Sequence, residues 1–65
     1  MLFRVELVTE QNEKFTFTNV QIVDTDARSV YIYEQGGTNP KFFKWGDIKQ
    51  MKQELQDAYN SRYNQ

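Results

Sequence analysis

Sixty-five residues are enough for one domain and too few for two, and the absence of cysteine and histidine excludes disulfides and the usual ligands of a structural zinc. Aromatic residues make up 15% of the chain, so burial of rings, or self-association, must offset an ordering cost of roughly 1.5 kcal/mol per residue. A net charge of −1 excludes a global field that would draw the chain to nucleic acid or a membrane surface.

From Leu2 to Thr9 the chain alternates, with Phe3, Val5 and Leu7 in one phase and Arg4 and Glu6 in the other. This predicts a half-buried strand over 2–9. The polar break Glu10-Gln11-Asn12-Glu13 is of hairpin length. A second strand is predicted over 14–23, where Phe15 and Phe17 set one phase and Val20 and Ile22 the other. Side chains alternate with period two, so the change of phase near Thr18-Asn19 requires a bulge or sharp bend. Either the strand bends, as in small barrels, or the sheet is flat with two apolar faces.

Asp24-Thr25-Asp26-Ala27-Arg28 reads as a turn, because Asp side chains bond their own backbone. A third strand follows over 29–35, with Val30 and Ile32 set against Tyr31 and Tyr33. Gly36-Gly37-Thr38-Asn39-Pro40 is the strongest loop signal, and a short fourth strand is predicted over 41–45. Gly46-Asp47 then opens a predicted helix over 47–61. Asp47 is its cap, Gln50 stands at the capping-box position, and Ile48, Met51 and Leu55 form an apolar stripe. The tail Asn60–Gln65 is expected to fray. The fold class is therefore α+β: a small four-stranded antiparallel sheet or a partly open barrel, then one C-terminal helix, in the order ββββα within a single domain, 1–65.

Without His or Cys the common nucleophile–base pairs cannot be assembled. Ser29 stands at a strand edge and Ser61 in the tail. Asp24 and Asp26 are the best carboxylate pair and open like a calcium loop, but Arg28 occupies the place of the third oxygen ligand. Gly36-Gly37 lacks the Lys and hydroxyl of a phosphate loop and precedes a strand. No catalytic residue, cofactor or metal ligand is expected. The charged start, Met1-Leu2-Phe3-Arg4-Val5-Glu6, is not that of a signal peptide, and no run reaches membrane-spanning length. A soluble, cytoplasmic, non-enzymatic protein is the expectation.

Two constellations remain. Lys41-Phe42-Phe43-Lys44-Trp45, with Lys49 and Lys52 beyond it and Tyr31 and Tyr33 one strand back, has the ingredients of a single-strand nucleic-acid platform. The same residues also suit a core strand with lysines guarding a sheet edge. The second constellation is a surplus of rings. If Phe3, Val5, Leu7, Val30, Ile32 and the helix stripe fill the interior, Tyr31, Tyr33, Phe42 and one Phe of the second strand are left outside. A contiguous exposed patch marks an interface; barrel closure would instead bury some of these rings within one monomer. The expected surface comprises Tyr31, Tyr33, Phe42 and Trp45 with Lys41 and Lys44 as polar rim. The partner is a second copy, giving a homodimer, or another protein; a small nucleic-acid-binding protein is the alternative.

The bent second strand, the Asp turn, Val30-Tyr31-Ile32-Tyr33, a short strand and Trp45-Gly46-Asp47-Ile48 together resemble small SH3-like and Sm-like barrels over residues 2–48. The resemblance implies an architecture and transfers no binding residue, and a helix after the barrel departs from the Sm-like order. In its Asn, Gln and Lys usage the chain also resembles small reading frames of bacteriophages and mobile elements.

Overall fold

The computed structural model describes residues 1–58. Its five strands are β1 (Phe3–Thr9), β2 (Lys14–Thr25), β3 (Ser29–Glu34), β4 (Lys41–Lys44) and β5 (Ile48–Leu55), with a 3-10 turn at Trp45–Asp47 between the last two. All pair antiparallel in one sheet, in the order β4-β3-β2-β1-β5. Among the described residues the outer edges of β4 and β5 pair with no strand, so the sheet is not closed.

β1 is flanked on both sides, and its alternation resolves as expected. Val5 and Leu7 are fully buried, while Arg4 and Glu6 point to the other face.

β2 is the strand that shapes the sheet. Its first half pairs with β1 and its second half with β3. Opposite Phe3 and Val5, the register runs from Val20 to Phe17 with one residue too many, and Asn19 adopts φ 55° there. This bulge is the change of phase near Thr18-Asn19, and Asn is among the few non-glycine residues that accept left-handed backbone. A second slip follows: Val20 stands opposite Glu34 and Ile22 opposite Tyr33, which leaves Gln21 as the extra residue. Val20 and Ile22 therefore do not share a face. Val20 is fully buried, whereas Ile22 is turned out and 53% exposed.

The core is Val5, Leu7, Val20, Val30 and Ile32, ringed by Phe3, Phe15, Phe17, Val23, Phe43, Ile48 and Met51. Each fully buried aliphatic contributes about 1.5–3 kcal/mol. The sheet curls over this core. Phe43 of edge strand β4 lies 5.5 Å from Phe15 and 6.0 Å from Phe17, although β4 and β2 are not neighbours.

The expected helix over 47–61 is overturned for most of its length. Residues 48–55 form β5, 56–58 alone among the described residues 47–58 are α-helical, and the sheet has five strands instead of four. Asp47, expected to cap that helix, lies in the 3-10 turn, and its carbonyl accepts the Glu10 N–H at 2.9 Å. The physical reason is a third bulge. Val8 stands opposite Gln50 and Thr9 opposite Ile48, so Lys49 is extra. The bulge puts Ile48 and Met51 on one face at a spacing of three, the spacing of a helical stripe. Lys, Gln, Met, Glu and Leu are all good helix formers, but propensity is a weak preference that tertiary context overrides, and here pairing with β1 does so. Residues 59–61 of the expected helix, and the tail expected to fray, lie outside the described residues.

Candidate interaction surface

Alternation fixes what lies on the convex side, away from the core. On β2 it is Ile22 and Asp24, on β3 Tyr33, Tyr31 and Ser29, and on β4 Phe42 and Lys44. These side chains form rows across the strands. Ile22 stands opposite Tyr33; Asp24, Tyr31 and Phe42 make the next row; Ser29 and Lys44 make the third. The rings of Tyr31 and Phe42 touch, with centroids 5.3 Å apart and planes tilted by 49°. Phe42 is 50% exposed, and the two tyrosines are half-buried.

Four of the six expected residues, Tyr31, Tyr33, Phe42 and Lys44, thus share one face. Lys41 does not. It stands opposite Ile32, so it projects to the core side of the sheet at its rim. Trp45 is also set apart. Its indole Nε1 donates to the Asp26 carbonyl at 2.9 Å, and its backbone N–H donates to the Arg28 carbonyl at 2.9 Å. Asp26 in turn holds its own loop, with Oδ1 accepting the N–H of Arg28 at 2.8 Å and of Ser29 at 2.7 Å. Trp45 therefore fastens the β4–β5 connection to the β2–β3 turn, leaving 37% of its surface open. Ile22 is the member that sequence reasoning missed. The adjacent pair Ile22-Val23 was the available signal, because two successive strand residues cannot both face one core.

The two halves of Lys41-Phe42-Phe43-Lys44-Trp45 accordingly do different things. Phe43 belongs to the core, Lys41 and Lys44 project to opposite sides, and Asp24 shares the face of Phe42. No continuous cationic, ring-lined track results. Asp24 lies within β2, and Asp26 Oδ1 is occupied by the turn. Among the described residues there is no group of three metal-ligating side chains, and no helix long and apolar enough to cross a membrane.

A second, shallow groove lies on the same side of the sheet over β1, lined by Glu6, Val8, Lys14, Gln50 and Lys52. Arg4 donates to Glu6 at 2.6 Å, Lys14 is 4.0 Å away, and Lys52 stands directly opposite. The Arg4 hydrogen bond holds the Glu6 carboxyl below the usual carboxylate range against the opposing pull of burial. The cations around this groove face an internal acid.

No family model matches this sequence, and no curated protein or solved structure matches it significantly.

Proposed function

We propose that this chain is a non-enzymatic protein-interaction or regulatory module that works as a homodimer through the convex aromatic face of β3 and β4. The observation that carries the reading is the contiguous patch Ile22, Tyr33, Tyr31 and Phe42 on the side opposite the core, with Ile22 and Phe42 each about half accessible. Scattered apolar side chains are ordinary on any surface, whereas a joined set flanked by Asp24 and Lys44 has the make-up of an interface centre with a polar rim. Tyrosine suits such a place because its ring is apolar and its hydroxyl accepts water or a partner.

For the architecture, the reading is a partly open barrel of the SH3-like or Sm-like kind. A long β2 that serves both halves of the sheet supports it, as does the approach of Phe43 to Phe15 and Phe17 across the concave side. The nucleic-acid alternative has less support, because the lysines of the 41–45 segment are divided between two sides.

The test is the double variant Tyr33→Ala with Phe42→Ala, examined by light scattering and circular dichroism. The expected result is a folded monomer where the parent is a dimer. A simply unfolded double variant would mean that these rings hold the monomer together, and the interface reading would fall.

A further inference from the structure

Hydrogen bonds around β4 establish which of its backbone groups are free. The Trp45 N–H donates to the Arg28 carbonyl in register with the β3–β4 ladder, while both the N–H and the carbonyl of Ser29 are taken by Asp26. In an antiparallel pair, directly opposed residues alternate between exchanging both hydrogen bonds and exchanging none. Trp45, Phe43 and Lys41 therefore bond inward to β3, and Phe42 and Lys44 direct their backbone groups to the open edge. The most exposed aromatic ring among the described residues stands on the same residue as an unpaired edge amide.

We infer that a second copy of this chain pairs antiparallel along the free edge of β4, with Phe42 on the two-fold axis, so that the two sheets continue as one. This rests on the reading of Phe42 as part of a self-interface and specifies its contact: the two Phe42 rings meet, and Tyr31, Tyr33 and Ile22 remain on the continued convex face, one and two strands in from the edge. An isologous antiparallel pair must place a residue opposite its own copy. An axis at Lys41 or Lys44 would oppose like charges. An axis at Phe43 would set Phe42 against the partner's Lys44 while the Phe43 ring stays in its own core. An axis at Phe42 joins ring to ring and sets Lys44 against the partner's Pro40, so no lysine faces a lysine. Phe42 N–H then donates to the carbonyl of the partner's Phe42, and Lys44 N–H to that of the partner's Pro40, each with its symmetric mate. Proline has no N–H to contribute, which suits the end of an edge.

The other open edge is poorer. Gln56 N–H donates to the Leu2 carbonyl, so by the same alternation Met51, Gln53 and Leu55 direct their backbone groups outward on β5. That edge is broken by the bulge at Lys49, however, and the convex side chains beside it are Gln50, Lys52 and Glu54.

Lys44→Pro tests the pairing while leaving every ring of the convex face in place. Lys44 has φ −86° and ψ 138°, close to what proline requires, and its N–H bonds no strand of its own chain. Lys44→Gln removes the charge and keeps the N–H. By sedimentation equilibrium, Lys44→Gln reads whatever the rim charge contributes, and Lys44→Pro is expected to raise the dimer dissociation constant at least about tenfold beyond Lys44→Gln through the two hydrogen bonds lost per dimer. Hydrogen exchange on the parent chain gives a readout independent of any variant, since the Phe42 and Lys44 amides should gain protection as concentration drives association. If Lys44→Pro dimerises like Lys44→Gln, or those amides stay unprotected in the dimer, while Phe42→Ala is monomeric, the edge pairing is wrong and the aromatic interface stands. A parent chain that is monomeric at every concentration, or a Phe42→Ala variant that dimerises normally, overturns both.

Discussion

Replacing Asn19 should destabilise the fold by an amount that separates its backbone role from its side-chain role. At the bulge of β2, Asn19 has φ 55°, and its carbonyl accepts the Gln35 N–H at 2.8 Å. Its N–H donates to Gln56 Oε1 and its Oδ1 accepts from Gln56 Nε2, both at 2.6 Å. One residue thereby ties the β1–β2 bulge to the end of β3 and to the residue after β5. Asn19→Ala places an alanine in left-handed backbone, at about 1 kcal/mol or more, and removes one side-chain bond worth about 0.5–1 kcal/mol in this exposed setting. The sum is about 1.5–2.5 kcal/mol, a large share of the roughly 3–10 kcal/mol expected for a domain of this length. Asn19→Gly relieves the backbone and keeps the donated N–H, but adds unfolded-state freedom, so it should cost about 0.5–1.5 kcal/mol. Urea denaturation with shared slopes reads the difference directly. Alanine must be the worse of the two, and Gln56→Ala combined with either must be less than additive. Equal losses for Ala and Gly, or full additivity with Gln56→Ala, would refute this account of the corner.

Trp45→Phe keeps the ring and loses the indole bond to the Asp26 carbonyl, so a loss of about 0.5–1.5 kcal/mol is expected by denaturant titration; no loss would mean that the fastening is idle. Glu6 has a folded pKa below its ordinary value, so the stability it lends is present above about pH 4.3 and disappears as pH falls through the lower, folded value. The pair is partly exposed, so the amount is below about 1 kcal/mol, and Glu6→Gln should flatten the stability profile on the acid side of pH 5 relative to the parent. Changing Lys41 and Lys44 together to Glu separates the two partner classes. A dimer held by ring burial should change little, whereas a nucleic-acid complex, followed by fluorescence anisotropy with an oligonucleotide, would weaken steeply and show strong salt dependence.

The legible parts of this fold are those where one physical signal acts alone. β1 was readable because nothing interrupts its period of two, and the Asp26 turn because its carboxylate bonds are local. The first bulge of β2 was readable because Phe15, Phe17 and Val20 cannot share one face without it. β5 was not readable, for a reason that can be stated. A single extra residue, Lys49, shifts a period of two into a spacing of three between Ile48 and Met51. The hydrogen bonds that make the segment a strand come from β1, about forty to fifty positions away in sequence. Local propensity has no access to that partner. The second bulge of β2 was hidden likewise, since the pairing partner that exposes Gln21 as extra is Tyr33-Glu34.

Those bulges also explain why ring surface is left over. A flat sheet would divide its large side chains evenly between two faces and need cover on both. Here the bend of β2 wraps one face around Val5, Leu7, Val20, Val30 and Ile32, and Phe15, Phe17 and Phe43 close that side. Curling makes the concave side self-sufficient and spreads the convex side open. Tyr31 and Phe42 shield each other there, and Phe42 still stays half exposed. Polar residues at 22, 31, 33 and 42 would leave the concave core untouched, because none of these positions contributes to it. The concave core therefore does not account for apolar chemistry at those positions, and the proposed association would.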